Sequence, residues 1–173
     1  MPDSQAGYKY LKTYQISVVI YDLTVQFCDR FIDKKSRTHD QMVQAARSGK
    51  QNIAEGYEEK SLKGYIYLLG IARASHIELL EDYLDYARQK KIAVWSKEDP
   101  RVRDLREFRG FDRPKLPDLP DTPEKSVNLL ITLLYQETYL EKKQLESLEQ
   151  KFINEGGYTE KLFKKRLQQR GNL

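Results

Sequence analysis

The sequence predicts an all-α protein, an antiparallel up-down-up-down four-helix bundle with a short basic helix at its C-terminus. Three observations lead there. Apolar residues recur at steps of three and four over four long stretches, which is the spacing of a helix face. Charged residues make up 32% of the 173 residues, and the mean hydropathy is −0.74. That combination suits amphipathic helices with charged outer faces better than a disordered chain. Finally, no strand-rich section and no internal repeat interrupts the pattern. The length is that of one domain able to bury a substantial core. Residues 1–155 are expected to form the bundle and residues 156–173 a basic suffix.

Helix one is expected from about Gly7 to Lys34, where Leu11, Tyr14, Val18, Tyr21, Val25, Cys28 and Ile32 trace one stripe. The length of that pattern argues against a strand at Ile16–Ile20. Helix two opens at Thr38, where Thr-His-Asp-Gln reads as a capping box. It closes at Gly56, a residue suited to the left-handed conformation that ends helices. Helix three starts at Ser61 as N-cap and continues to about Lys91 along Leu62, Ile66, Leu69, Arg73, Ile77, Leu80, Leu84 and Ala87. Asp99-Pro100 predicts a short helix reaching Phe108. Residues 113–123 hold four prolines, so an extended surface connection is expected before helix four. Helix four begins at Asp121 or Thr122 with Pro123 in its first turn. Val127, Leu130, Leu134, Tyr135, Thr138, Leu145, Leu148 and Phe152 carry its apolar face to about Glu155, before Gly156-Gly157. A last helix from Thr159 to about Arg170 is expected to put Leu162, Phe163 and Leu167 on one side and basic residues on the other.

Candidate chemistry is sparse. A di-iron carboxylate bundle needs Glu-x-x-His on two helices, and neither His39 nor His76 follows a Glu by three positions. His39 is expected to be solvated, and His76 to be a satisfied, partly buried core histidine with Glu78 and Glu81 nearby. Cys28 is expected in the core among Phe27, Phe31 and Ile32. As the single cysteine it has no partner for a disulfide or a zinc site. Nucleophile, phosphate-loop and dinucleotide motifs do not occur in a fitting context. The carboxylates, Glu141 beside Gln144 included, read as solvated helix faces. The residues therefore predict no catalytic, metal or cofactor site, and no enzyme. No apolar run approaches membrane-spanning length and the N-terminus carries no signal pattern. With a single cysteine, a cytoplasmic protein without a membrane partner is expected.

The net charge of +4 is unevenly placed. Residues 151–173 hold six basic and two acidic side chains, leaving 24 of each sign in residues 1–150. Lys161, Lys164, Lys165, Arg166 and Arg170 are thus candidates for contact with nucleic-acid phosphates. A solvated face of a docking helix is the other reading of that cluster.

The stretch Ala46–Tyr57 breaks helix rules. Gly49 in a helix interior costs about 1 kcal/mol relative to Ala. Glu55 sits at the unfavourable end of the helix dipole, where Lys60 or Lys63 of a following helix is expected to answer it. Small residues here allow another helix to approach closely. The run Arg47-Ser48, Asn52-Ile53-Ala54-Glu55-Gly56-Tyr57, then Ser61, then Leu69-Gly70-Ile71-Ala72-Arg73-Ala74-Ser75 with Glu78, resembles the four-helix-bundle proteins encoded in intervening sequences of bacterial 23S ribosomal RNA genes. The accessory variability determinants of diversity-generating retroelements resemble the same family. The resemblance covers roughly residues 10–155, and the Pro-rich insertion and the tail look like an extended branch. It implies a homo-oligomer, typically a five-fold ring, with no catalysis, and Arg47, Ser48, Gly49, Asn52, Glu55 and Gly56 as a packing and assembly signature. For retroelement members it implies binding of RNA or DNA and of a reverse transcriptase through basic surfaces. The positions to test within the bundle are then Arg47, Lys50, Lys60, Lys63 and Arg73. Arg47 and Arg73 have internal ion pairing as their other reading. A purely structural or protein-recruiting oligomer is the alternative function.

Overall fold

The computed structural model describes residues 7–106 and 118–171, and among these every regular element is helical. A 3-10 turn at Gly7–Tyr10 precedes α1 (Lys12–Phe31), α2 (Arg37–Glu58), α3 (Leu62–Gln89), α4 (Pro100–Arg106), α5 (Pro123–Glu155) and α6 (Tyr158–Gly171). No helix among the described residues is long and apolar enough to cross a membrane.

The helix ends follow local chemistry, with four departures from expectation. The first expected helix is broken at Leu11, whose extended backbone separates the 3-10 turn from α1. Gly7 there lies against the Tyr57 ring, in space that a side chain would fill. The cap of α2 is Ser36, not Thr38: the Ser36 hydroxyl, two residues earlier, accepts from the Thr38 N–H at 3.2 Å. The same helix runs through Gly56 to Glu58. Gly56 is a close-approach residue and not a terminator, because a side chain there would stand only 3.1 Å from the Tyr65 ring and 3.3 Å from Leu68 Cβ of α3.

The first helix also stops at Phe31, short of Lys34, because Ile32 is extended; three further ends are as expected. Ser61 accepts from Gly64 N–H at 3.0 Å, and Thr122 accepts from Lys125 N–H at 3.4 Å with Pro123 opening α5. Gly156, at φ 74°, ends α5 in a backbone conformation that other residues rarely adopt. Phe108 and residues 113–117 of the Pro-rich connection lie outside the described residues. Beyond them Leu119 is buried, its N–H donating to Gln26 and its carbonyl accepting from Arg30.

Four long helices share the interior: α1 and α3 each pack on both α2 and α5. The start of α2 meets the end of α1 where His39 Nε2 lies 3.1 Å from Asp29 Oδ1. That contact leaves the His39 side chain only 15% exposed, so it is not solvated as expected. Between α2 and α3, Ser48 meets Ser75 and the later Gly56 meets the earlier Tyr65. Gln144 of α5 donates to Tyr65 Oη at 2.6 Å and accepts from Thr13 at 2.9 Å, tying α1, α3 and α5. Asn128 holds the connection before α4, accepting from Trp95 N–H and donating to the Ala93 carbonyl.

The larger core joins Ile16, Ile20, Leu23, Phe27, Met42, Ala46, Leu79, Tyr83, Leu130 and Leu134, among others. A smaller one gathers Leu11, Tyr14, Leu145 and Leu148 around Ile53, Leu69 and Ala72. Cys28 belongs to the larger core, where burial is the main cause pushing its thiol up to about 12. At pH 8 the native thiol is therefore expected to alkylate about three orders of magnitude more slowly than a free cysteine. A thiol-reactive dye added before and after guanidinium unfolding measures this.

Candidate functional site

Between the two cores lies a polar layer, legible as one step on each helix. On α2, Gly49 falls between Ala46 of the larger core and Ile53 of the smaller. On α3, His76 falls between Leu79 and Ala72. On α5, Glu137 and Glu141 fall between Leu134 and Leu145. Each interval is three or four residues, so these positions continue the inward stripe of their helices. His76, Glu137 and Glu141 are all 0% exposed.

One ligand-type atom from each of His76, Glu137 and Glu141 lies within 4.8 Å of the others. His76 Nδ1 stands 2.7 Å from Glu141 Oε1, the separation of a charge-assisted hydrogen bond. Beyond that contact, both Glu137 oxygens, Glu141 Oε2 and His76 Nε2 have no hydrogen-bond partner. Burial, and secondarily the Glu141 carboxylate, hold the Glu137 carboxyl well above the usual carboxylate range. A carboxylate taken out of water without a cation or donor costs several kcal/mol. The group can therefore hold a proton, or a cation, where two carboxylates converge.

Two expectations are overturned here. Glu141 is not part of a solvated face, because its position lies on the buried stripe between Leu134 and Leu145. His76 is fully buried, and its partner is Glu141 across the interface with α5, not Glu78 or Glu81 of its own helix. Ligand spacing along a single helix cannot reveal a set drawn from both α3 and α5.

The rule-breaking stretch serves this layer. A side chain at Gly49 would collide with the His76 ring at Nε2, so the glycine is what lets the imidazole lie against α2. One residue away on each helix, Ser48 Oγ is 3.0 Å from Ser75 Oγ, and Asn52 Nδ2 donates to the Ser48 carbonyl at 2.9 Å and its hydroxyl at 3.2 Å. Ser48, Gly49 and Gly56 thus make the α2–α3 contact, and Asn52 braces Ser48 from within α2. Arg47 and Glu55 are exposed, and no ion pair joins Glu55 to Lys60 or Lys63 among the described residues.

The structure also sorts the basic candidates. Arg73 Nε donates to the Thr138 carbonyl at 3.2 Å, a hydrogen bond to α5 in place of an ion pair. Lys50 is half-buried, 3.0 Å from Gln51 Oε1 and 5.4 Å from the centre of the Tyr21 ring. Lys60 and Lys63 are exposed beside the α2–α3 turn. Every residue of α6 is exposed, with Lys161 paired to Glu155 at 3.2 Å. The expected two-sided α6 is present in part, with Lys161, Lys164 and Lys165 opposite Leu162, Phe163 and Leu167. At about 100° per residue, Leu162 lies about 100° from Phe163, and Arg166 and Arg170 turn into that gap.

A family model described as 23S rRNA-intervening sequence protein matches residues 9–101. That span is shorter than the expected 10–155: it includes Gly49 and His76 and stops before Glu137 and Glu141. No curated protein and no solved structure matches the chain.

Proposed function

We propose, because the chain belongs to the 23S rRNA-intervening sequence protein family, that it is a non-enzymatic, self-associating helical protein that holds RNA or DNA through α6. The observation that carries this reading is α6 itself. It has five basic and one acidic side chain in 14 residues and buries none of them. An isolated helix of about that length is marginal in water, so α6 gains order from whatever it lies on. An anionic polymer suits Lys164, Lys165, Arg166 and Arg170, while Phe163 and Leu167 remain exposed to a base or a neighbouring chain.

The arrangement of α1, α2, α3 and α5 is an antiparallel up-down-up-down bundle in this reading. The contacts His39–Asp29, Gly56–Tyr65 and Gln144–Thr13 support it, since each joins a late segment of one helix to an early segment of the other. Self-association, as the pentamer that the family resemblance implies, uses a separate apolar face. Trp95, Val102, Ile131, Tyr135 and Tyr139 line a groove of about 410 Å³ there, and Tyr135 and Tyr139 are more than half exposed. A cytoplasmic setting fits the buried thiol of Cys28.

Binding to single- and double-stranded oligonucleotides, measured across salt concentration, tests the proposal. Neutralising Lys164, Lys165, Arg166 and Arg170 to Gln in the full chain is expected to reduce the log affinity versus log salt slope by about 3. Absence of binding at low salt would overturn it, and would favour a structural oligomer that recruits a protein such as a reverse transcriptase.

A further inference from the structure

The buried layer does work that binding through α6 does not require. We propose that His76, Glu137 and Glu141 form a binding site for one divalent transition-metal ion, which clamps α3 to α5. The inference rests on geometry and charge, independently of the α6 reading.

Three features of the layer support it. First, the ligand atoms already converge within 4.8 Å, and all three side chains are fully buried. Around a tetrahedral ion with bonds of about 2.1 Å, ligand atoms lie about 3.4 Å apart. The widest separation therefore closes by up to about 1.4 Å, while the 2.7 Å contact of His76 with Glu141 opens as the ion replaces its proton. Second, Glu137 is 0% exposed, with neither oxygen bonded to any donor. A purely structural carboxylate in a core is expected to face an arginine, a lysine or backbone N–H groups. Third, α2 gives up a side chain at Gly49, where one would displace the imidazole.

The chemistry of the set selects the ion. Two carboxylates carry two negative charges, which a divalent cation cancels inside the apolar surroundings. One imidazole nitrogen with two carboxylate oxygens suits zinc, manganese or iron(II) better than magnesium or calcium, which take oxygen ligands. His76 and the two glutamates are donated by different helices, so the bound ion joins α3 to α5 between the two apolar cores.

The test uses the full chain stripped with a chelator, with Co2+ as a visible probe and Zn2+ as competitor. Because the site is closed to solvent, each ion is added both to the folded protein and during refolding from denaturant. The expected result is one equivalent of Co2+ per chain with the intense visible absorption of a low-symmetry site. Zn2+ should displace the cobalt, and the melting temperature should rise with ion concentration. Glu137→Gln, which keeps the side-chain shape, should lose the absorption and the thermal shift while keeping the helical circular dichroism spectrum. His39→Asn is the control for adventitious binding beside Asp29 and Asp40, and should leave both signals intact. Absence of the absorption under both loading regimes, or its persistence in Glu137→Gln, would overturn the proposal.

Discussion

Gly49→Ala is expected to destabilise the protein by up to about 2 kcal/mol, although alanine is the better helix former. Helix propensity alone predicts a gain of about 1 kcal/mol. The new methyl group, however, points at the His76 ring. That ring cannot swing away cheaply, because it is fully buried and held at Nδ1 by Glu141. Overpacking of this kind costs about 1–3 kcal/mol in a closed core. The distinguishing measurement is a double-mutant cycle by urea denaturation. His76→Ala alone leaves a cavity and an uncompensated pair of glutamates. In the His76→Ala background the Gly49→Ala change meets no ring, and should turn neutral or stabilising. A coupling energy of about 1–3 kcal/mol between the two sites is the expected outcome. Additive effects would show that Gly49 is retained for a reason other than the approach of the imidazole.

That pairing explains what the sequence made visible and what it hid. The helices were legible because Leu, Ile, Val and Tyr recur at helical spacing, and Ser61, Thr122 and Gly156 punctuate them with local chemistry that depends on few residues. Gly49 was legible as an anomaly for the same reason, since a glycine in a helix interior lowers propensity wherever it occurs. Its cause was not legible. The His76 ring that needs the space is 27 residues away in the chain, on another helix, and Glu141 is 65 residues beyond His76. Yet one signal did exist in the sequence. The α5 stripe steps from Leu130 and Leu134 through Glu137 and Glu141 to Leu145 and Leu148 without losing its period. Reading Thr138 as the stripe residue and Glu141 as surface broke that step, because charged side chains are so rarely fully buried. Polar residues in phase with an apolar stripe on two helices were the available sign of a buried polar layer. The end of α2 is hidden from the sequence for a related reason: Gly56 suits either a helix terminus or a close contact, and only the position of Tyr65 and Leu68 decides between them.

The second large effect is a pH dependence of opposite sign to the common carboxylate case. In the metal-free protein, burial and the neighbouring Glu141 raise the Glu137 carboxyl well above its usual range. The folded state therefore binds a proton that the unfolded chain has already released once the pH passes about 4.5. The contribution of Glu137 is fully present below that pH and is lost as pH rises toward the folded-state value, at no more than about 1.4 kcal/mol per pH unit. The groups facing it are Glu141, which adds repulsion, and His76, whose Nδ1 is engaged by Glu141. Chelator-treated protein should thus be less stable at pH 7 than at pH 5.5. Glu137→Gln should flatten that part of the slope, since an amide does not titrate there. Glu137→Met removes the charge and fills nearly the same volume, and is expected to stabilise the metal-free protein at pH 7 by about 1–4 kcal/mol. Urea titrations of the three proteins at pH 5.5, 6.5 and 7.5 measure these differences. Saturating Zn2+ should reverse the wild-type trend, because metal competes with protons for the same oxygens and gains affinity as pH rises. Equal pH slopes in the metal-free wild type and Glu137→Gln would mean that Glu137 does not titrate with folding, and that its burial is relieved in solution.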